Sequence, residues 1–422
     1  MKLLRVFILL SVFLVLMSCG SNNQKQENDS IKTPILLVEG NWHLDLNISE
    51  NNSIPVDFTL TKIDTNYVVT FINAEEQIVS NVTVDNSTII IKDAIFNTWF
   101  EGKIESPNKI RGFWYKEDEK YKIPFIAQHG ITDRFTSPES LSLSQPNISG
   151  KWEVDFSKGT DDHYKAIGVF QQVDNYVTGT FITETGDYRF LEGNMYNNNL
   201  YLSTFDGSHA FLFKATFING HLEGNFWSGT HWEEPWVAVK NDNFELSNPD
   251  SLTILKEGYD ELSFNFPSLS GDSVSINDEK YKNKVVIVNI MGPWCPNCKD
   301  ETAYLTELYS RYHEKGLEII ALSFTKTDDF AKSKESTQKV KDFYRAEYDF
   351  LIAGKANKIE ASKALPMLNN IISYPTSIFI DKMGKVRKIR TGFYGPGTGN
   401  YYTRYTEETD NFVAKLLAEK IK

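Results

Sequence analysis

Cysteine is scarce: the 422 residues hold three, too few for a framework of disulfides to staple the fold. Histidine is scarce as well, with seven in the chain and only His313 beyond His231, so no second Cys or His pair stands ready to complete a four-ligand zinc site. Basic residues are outnumbered, 44 Lys and Arg against 56 Asp and Glu. The net charge of −12 carries no basic block and argues against nucleic acid as a partner. Long apolar runs are missing beyond the first twenty residues, which excludes a polytopic helical membrane protein. What is present, 41% hydrophobic and 13% aromatic residues, suffices for packed cores in about three domains at roughly 150 residues each.

The first cysteine follows a short leader. Lys2 and Arg5 precede the apolar run Val6 to Met17, which is the length of a secretory signal and too short to span a bilayer. Its end, Leu16-Met17-Ser18-Cys19-Gly20, resembles the lipobox of bacterial lipoproteins. That resemblance implies a signal peptide over 1–18, acylation of Cys19, and a membrane lipid anchor in the cell envelope, facing the periplasm or the cell surface. The polar residues 19–36 are then expected to be a flexible tether.

From there to about 246 apolar and polar residues alternate, as in Tyr67-Val68-Val69-Thr70-Phe71-Ile72, with Gly and Asn punctuating at intervals of about ten. The region repeats itself: Gly40-Asn41-Trp42 recurs as Gly150-Lys151-Trp152, Asn66-Tyr67-Val68 as Asn175-Tyr176-Val177, and Gly112-Phe113-Trp114 as Gly224-Asn225-Phe226-Trp227. Matches in one order predict a duplicated all-β module over 37–135 and 146–246, each a small sandwich or a barrel of about eight strands. The opening Gly-x-Trp resembles lipocalin-like barrels. In the second copy Asp206-Gly207 reads as a hairpin turn with His209 at a strand end; the competing reading is a ligand groove lined by Trp227, Trp232, Trp236 and His209.

After a polar connector the pattern changes to alternating strands and helices over 258–422, an α/β arrangement. Lys284 to Ile290 is a β-branched run suited to a strand buried on both faces. Next comes Trp294-Cys295-Pro296-Asn297-Cys298, opening a helix with apolar positions at Leu305, Leu308, Tyr309 and Tyr312. Two cysteines one helical turn apart can bridge. Unpaired N–H groups and the helix dipole favour a thiolate on the first, so Cys295 is expected to be the exposed nucleophile and Cys298 the resolving thiol. Glu301, three residues on, lies on the face of Cys298.

Trp294-Cys295-Pro296-Asn297-Cys298-Lys299-Asp300-Glu301, followed by Ser373-Tyr374-Pro375-Thr376 and Ile378-Phe379-Ile380-Asp381, resembles the TlpA/ResA-type thiol-disulfide oxidoreductases of the thioredoxin superfamily, whose fold is shared by AhpC/TSA redoxins. The resemblance implies a thioredoxin-like domain over 258–422. It also implies a cis Pro375 beside the dithiol, substrate contacts from Trp294 and the Tyr374 backbone, and an acid/base role for Glu301. No cofactor and no metal are implied. Asn289 stands where thioredoxins carry an aspartate, which leaves Glu301 as the acid/base candidate. Pro296-Asn297 lacks the histidine of strongly oxidising relatives, which favours a reductase or isomerase over an oxidase. Gly292 stands where a peroxiredoxin has Thr or Ser. The expected partners are disulfide-bonded envelope proteins as substrates and a membrane thiol-disulfide relay as electron donor. The rival readings are a glycan- or protein-binding lipoprotein with an accessory redox domain, and an oxidase or thiol peroxidase on the same fold.

Overall fold

The computed structural model describes residues 36–137 and 145–421; the leader, Cys19 and most of the tether lie outside the described residues. Eight antiparallel strands, from Gly40–Asn47 to Asp118–His129, close into a barrel because the first pairs with the last, Trp42 opposite His129. Alternation does the rest. In Ser53–Ile63 the side chains of Ile54, Val56, Phe58 and Leu60 turn inward, with 2% exposure or less, and meet Trp42, Phe71, Phe100 and Trp114.

A second sheet, from Gly150–Phe156 to Trp232–Lys240, closes in the same way. Its strand Tyr164–Val173 pairs with both Gly150–Phe156 and Tyr176–Thr183, and a two-residue strand, Gly186–Asp187, hangs on the latter. The interior is filled by Trp152, Phe156, Phe170, Phe181, Phe213, Phe226 and Trp236. Of the two all-β forms expected from the sequence, sandwich or barrel, both modules take the barrel. Each opens on a glycine in the left-handed region, Gly40 at φ +118° and Gly150 at +117°, where a Cβ would be strained. In each the following Trp donates its indole N–H four residues back, Trp42 to Val38 O at 2.9 Å and Trp152 to Ile148 O at 2.8 Å.

The expected hairpin at Asp206-Gly207 does more than turn the chain. Phe205 inserts among Phe71, Phe100 and Trp114 with ring centroids 4.9, 5.3 and 5.5 Å away, and its backbone exchanges hydrogen bonds with the Asn73 amide at 2.8 and 3.0 Å. The second barrel thus plugs the first. Trp227, Trp232, Trp236 and His209 do not line one groove: Trp227 shares one surface hollow with Trp236 and another with Trp232, while His209 lines neither and is held by Asp206.

The C-terminal domain has a five-stranded sheet. Strand β1 (Val285–Met291) leads into helix α1 (Pro296–Tyr312), then β2 (Leu317–Thr325), α2 (Phe330–Tyr344), β3 (Asp349–Lys355), α3 (Lys358–Ala364), β4 (Thr376–Ile380), β5 (Val386–Thr391) and α4 (Asn400–Ala418). The order is β3-β2-β1-β4-β5, with β1–β3 parallel and β4 and β5 antiparallel to their neighbours. Every residue of β1 is buried: Val285, Ile287 and Met291 face α1 and α4, while Val286, Val288 and Ile290 face α3. A central strand covered on both sides needs such a continuous apolar run, and it delivers the chain at Gly292 to the start of α1. Among the described residues no helix is long and apolar enough to cross a membrane.

Candidate active site

Cys295 is the N-cap of α1, extended at φ −103° and ψ 117°, with Pro296 at the first helical position where a missing N–H costs nothing. Its Sγ accepts the Cys298 N–H at 3.2 Å and lies 3.3 Å from Tyr374 O, across a cis Tyr374–Pro375 peptide. The two cysteines are free thiols. The structure thus brings Cys295, Cys298, Tyr374 and Pro375 together at the end of the sheet. Trp294 packs edge-on against Tyr374 at 5.5 Å and is fixed by its indole N–H on Phe324 O at 3.0 Å.

One expectation is corrected. Cys295 is not exposed: it retains 6% of its surface and belongs to one apolar cluster with Ile95 and Phe96 of the first barrel, flanked by Trp294 and Tyr374. Cys298, one turn deeper, has none. Its thiol is pushed well up, first by burial, then by the neighbouring Cys295 sulfur, with the Glu301 charge adding to both.

Glu301 is buried beneath the dithiol, and its carboxylate is held by residues from three elements. The Asn289 amide of β1 donates at 2.5 Å, the Ser377 hydroxyl of β4 at 3.0 Å and the Tyr405 hydroxyl of α4 at 2.6 Å. Burial outweighs these three donors and raises the Glu301 pKa above the usual carboxylate range. Asn289 also donates to Ser377 Oγ at 3.0 Å, while its Oδ1 is buried without a partner. Asn289, Ser377 and Tyr405 were not legible as site residues, except that Asn289 was marked by the aspartate it replaces.

The second barrel reaches this site, which nothing in the sequence announced. Asn297 donates to Asp187 Oδ2 at 3.1 Å and to Phe393 O at 3.2 Å; Ser373 Oγ donates to Thr185 O at 2.7 Å. A Cβ on Gly186 would sit 2.7 Å from the Asn297 amide, so only glycine lets the turn lie so close. Asp187 also accepts from the Gly395 N–H at 2.7 Å, and burial, reinforced by Asp300, pushes its pKa up to about 6. Arg189, left-handed at φ +61°, joins all three modules by ion pairs to Glu76 of the first barrel and Asp300 of α1.

Arg189→Ala would strand Glu76 and Asp300, whose side chains are 10% and 14% exposed, without their partner. A loss on the order of 3–5 kcal/mol in denaturant unfolding is expected, as for breaking a buried pair. A loss below about 1 kcal/mol would mean that solvent already screens both pairs.

Residues 260–389 match the model of the AhpC/TSA family, and residues 17–100 match that of Staphostatin A. The chain is similar to the thiol-disulfide oxidoreductase ResA of Bacillus cereus (strain ATCC 10987 / NRS 248), 36% identical over 143 residues that make up 33% of this chain and 71% of that protein. It is also similar to ResA of Bacillus thuringiensis subsp. konkukian (strain 97-27), 36% identical over 131 residues, 31% of this chain and 66% of that one. The chain thus spans about two thirds of the length of these relatives. A solved structure of a putative thiol:disulfide interchange protein DsbE from Chlorobium tepidum aligns with a TM-score of 0.31 and 19% identity, covering 39% of this chain and all of that one.

Proposed function

We propose, from the premise that the chain belongs to the ResA-type thiol-disulfide oxidoreductases of the thioredoxin superfamily, that it works as a reductase of protein disulfides in the bacterial cell envelope. The observation that carries this reading is the asymmetry of the dithiol: Cys295 caps a helix with an N–H on its sulfur, and Cys298 is sealed below it. The Cys295 thiolate attacks one sulfur of a substrate disulfide, forming a mixed disulfide and expelling the other sulfur as a thiolate. Cys298 then gives up its proton and attacks Cys295 Sγ. The Cys295–Cys298 bond forms, the second substrate thiolate leaves, and two electrons have passed to the substrate. Glu301 is the acceptor for the Cys298 proton, and the Tyr374 backbone beside Pro375, with Trp294, holds the substrate chain.

Electrostatics supports this direction. Asn297 turns its amide to Asp187 and Phe393 rather than to the sulfurs, and burial with the Glu301 charge disfavours a Cys298 thiolate. A couple whose reduced form is poorly stabilised is a reducing one. The two barrels, read as copies of one module, hold substrates near the dithiol. Acylated Cys19 anchors the chain, and a membrane thiol-disulfide relay returns the electrons.

The chain from Gly20 onward is expected to accelerate insulin-disulfide reduction with dithiothreitol as donor, and to equilibrate with glutathione at a potential far below the about −120 mV of strong oxidants. A potential near that value would reverse the assigned direction.

A further inference from the structure

Access to the dithiol is walled by both barrels. On one side the turn carrying Gly186 and Asp187 lies on Asn297; on the other, Ile95 and Phe96 share the apolar cluster of Cys295. Between the first barrel and the C-terminal domain a cleft of about 490 Å³ opens beside Trp294, with Phe96 in its lining. Its charge is opposite to that of the chain: four lysines, Lys116, Lys326, Lys332 and Lys339, against Glu117 and Glu335 among the described residues. Both glutamates are taken, Glu117 by Lys326 and Glu335 by Lys339 at 3.0 Å.

Lys116 and Lys332 make no hydrogen bond or ion pair through their ammonium groups among the described residues. Lys116 is half-buried, and burial together with the nearby Lys326 disfavours its charge more than the Asp206 and Glu117 carboxylates favour it. Lys326 itself sits 5.5 Å over the Trp294 ring. A partly desolvated cation beside a second cation is unfavourable, and a carboxylate brought close to it lowers that penalty. The cleft on the other side, at Asn297 and Tyr374, differs in this respect. Its Lys165 is already paired with Glu153 at 2.6 Å and Asp155 at 2.9 Å, and Glu184 and Asp187 line it as well.

We infer that the cleft between the first barrel and Trp294 seats the part of the substrate chain that runs on past Trp294 from the stretch held by the Tyr374 backbone, and that it selects an extended acidic polypeptide segment flanking the substrate's disulfide. Carboxylates of the segment meet Lys116 and Lys332, and an apolar side chain beside the cysteine lies on Phe96 and Trp294. This rests on the reductase reading and names the substrate class for it.

The test uses two disulfide-linked, fluorescence-quenched peptides that differ only in Glu-Glu or Lys-Lys before a Phe-Cys pair, with hydroxyethyl disulfide as a neutral small substrate. The acidic peptide is expected to show a kcat/KM higher by about five- to tenfold, the scale of two exposed ion pairs, shrinking in about 0.5 M salt. The double charge reversal Lys116→Glu and Lys332→Glu should invert the ratio, and Lys116→Gln, the milder change, should lower it. Equal rates for the two peptides, or a ratio that neither variant moves, would overturn the groove while leaving the reductase intact. If hydroxyethyl disulfide too goes unreduced, the reductase reading itself falls.

Discussion

Cys298→Ser is expected to accumulate one covalent adduct per chain, a mixed disulfide between Cys295 and the captured protein, and to lose catalytic turnover by at least about a thousandfold. The reason is the division of labour in the site. Cys295 at the helix N-cap keeps its attack on substrate, because the helix end it caps is unchanged, and serine at 298 still offers the backbone N–H that reaches Cys295 Sγ at 3.2 Å. The second displacement is what disappears, since a hydroxyl cannot form the intramolecular disulfide. Cys295→Ser should give the complementary result, with neither adduct nor turnover. Non-reducing gels and intact mass separate the two variants, and adducts forming equally well on Cys295→Ser would assign the nucleophile wrongly. The captured proteins would identify the clients.

Glu301→Gln is expected to slow the resolving step by about a hundredfold or more, the range over which a positioned proton acceptor acts. It should also remove a pH limb. In the unaltered chain the step should quicken as pH rises through the raised pKa of Glu301, because the carboxylate must be ionised to take the Cys298 proton. With glutamine only the thiol's own ionisation remains.

Stability should move the other way. A carboxylate whose pKa is raised on folding favours the folded state while protonated, and that contribution is lost as pH climbs from the ordinary carboxylate range through the raised value. Glutamine cannot ionise, so the variant should lack this decline, and at neutral pH it should be no less stable than the parent. It also brings a donor that the orphaned Asn289 Oδ1 can accept after an amide flip. Glu301→Ala would instead leave the Ser377 and Tyr405 hydroxyls without their acceptor, at about 1–3 kcal/mol each. Stopped-flow resolution rates and denaturant midpoints across pH decide the matter; a pH profile untouched by Glu301→Gln would reduce Glu301 to a packing role.

The parts of this fold that were legible are those written in local pattern. The β-branched run ending at Met291, a proline inside a C-x-x-C and a helical spacing of Leu305 and Leu308 place the dithiol at a helix start. Alternation around Trp42 and Trp152 yields all-β modules. The helix Lys358–Ala364 went unseen because seven residues with few apolar positions show no periodicity.

What could not be read is long-range. Arg189 meets a carboxylate 113 residues before it and another 111 after it, and Phe205 fills a barrel built from residues 40–129. No spacing rule connects such pairs. The burial of Cys295 has the same origin in part, since Phe96, some two hundred residues earlier, belongs to the apolar cluster that encloses it.

Closing each β sheet on itself has a consequence for the order of events as the chain is made. The first strand of the first barrel finds its outer partner only in the eighth, with Trp42 opposite His129. Until that last strand is available, the sheet carries two open edges of unpaired N–H and C=O groups, which are templates for pairing with any other extended chain. Contacts of such large sequence separation also form slowly. The newborn module is therefore most prone to aggregate in the interval before residue 129 is available, and once the ring closes the hazard ends with the edges themselves.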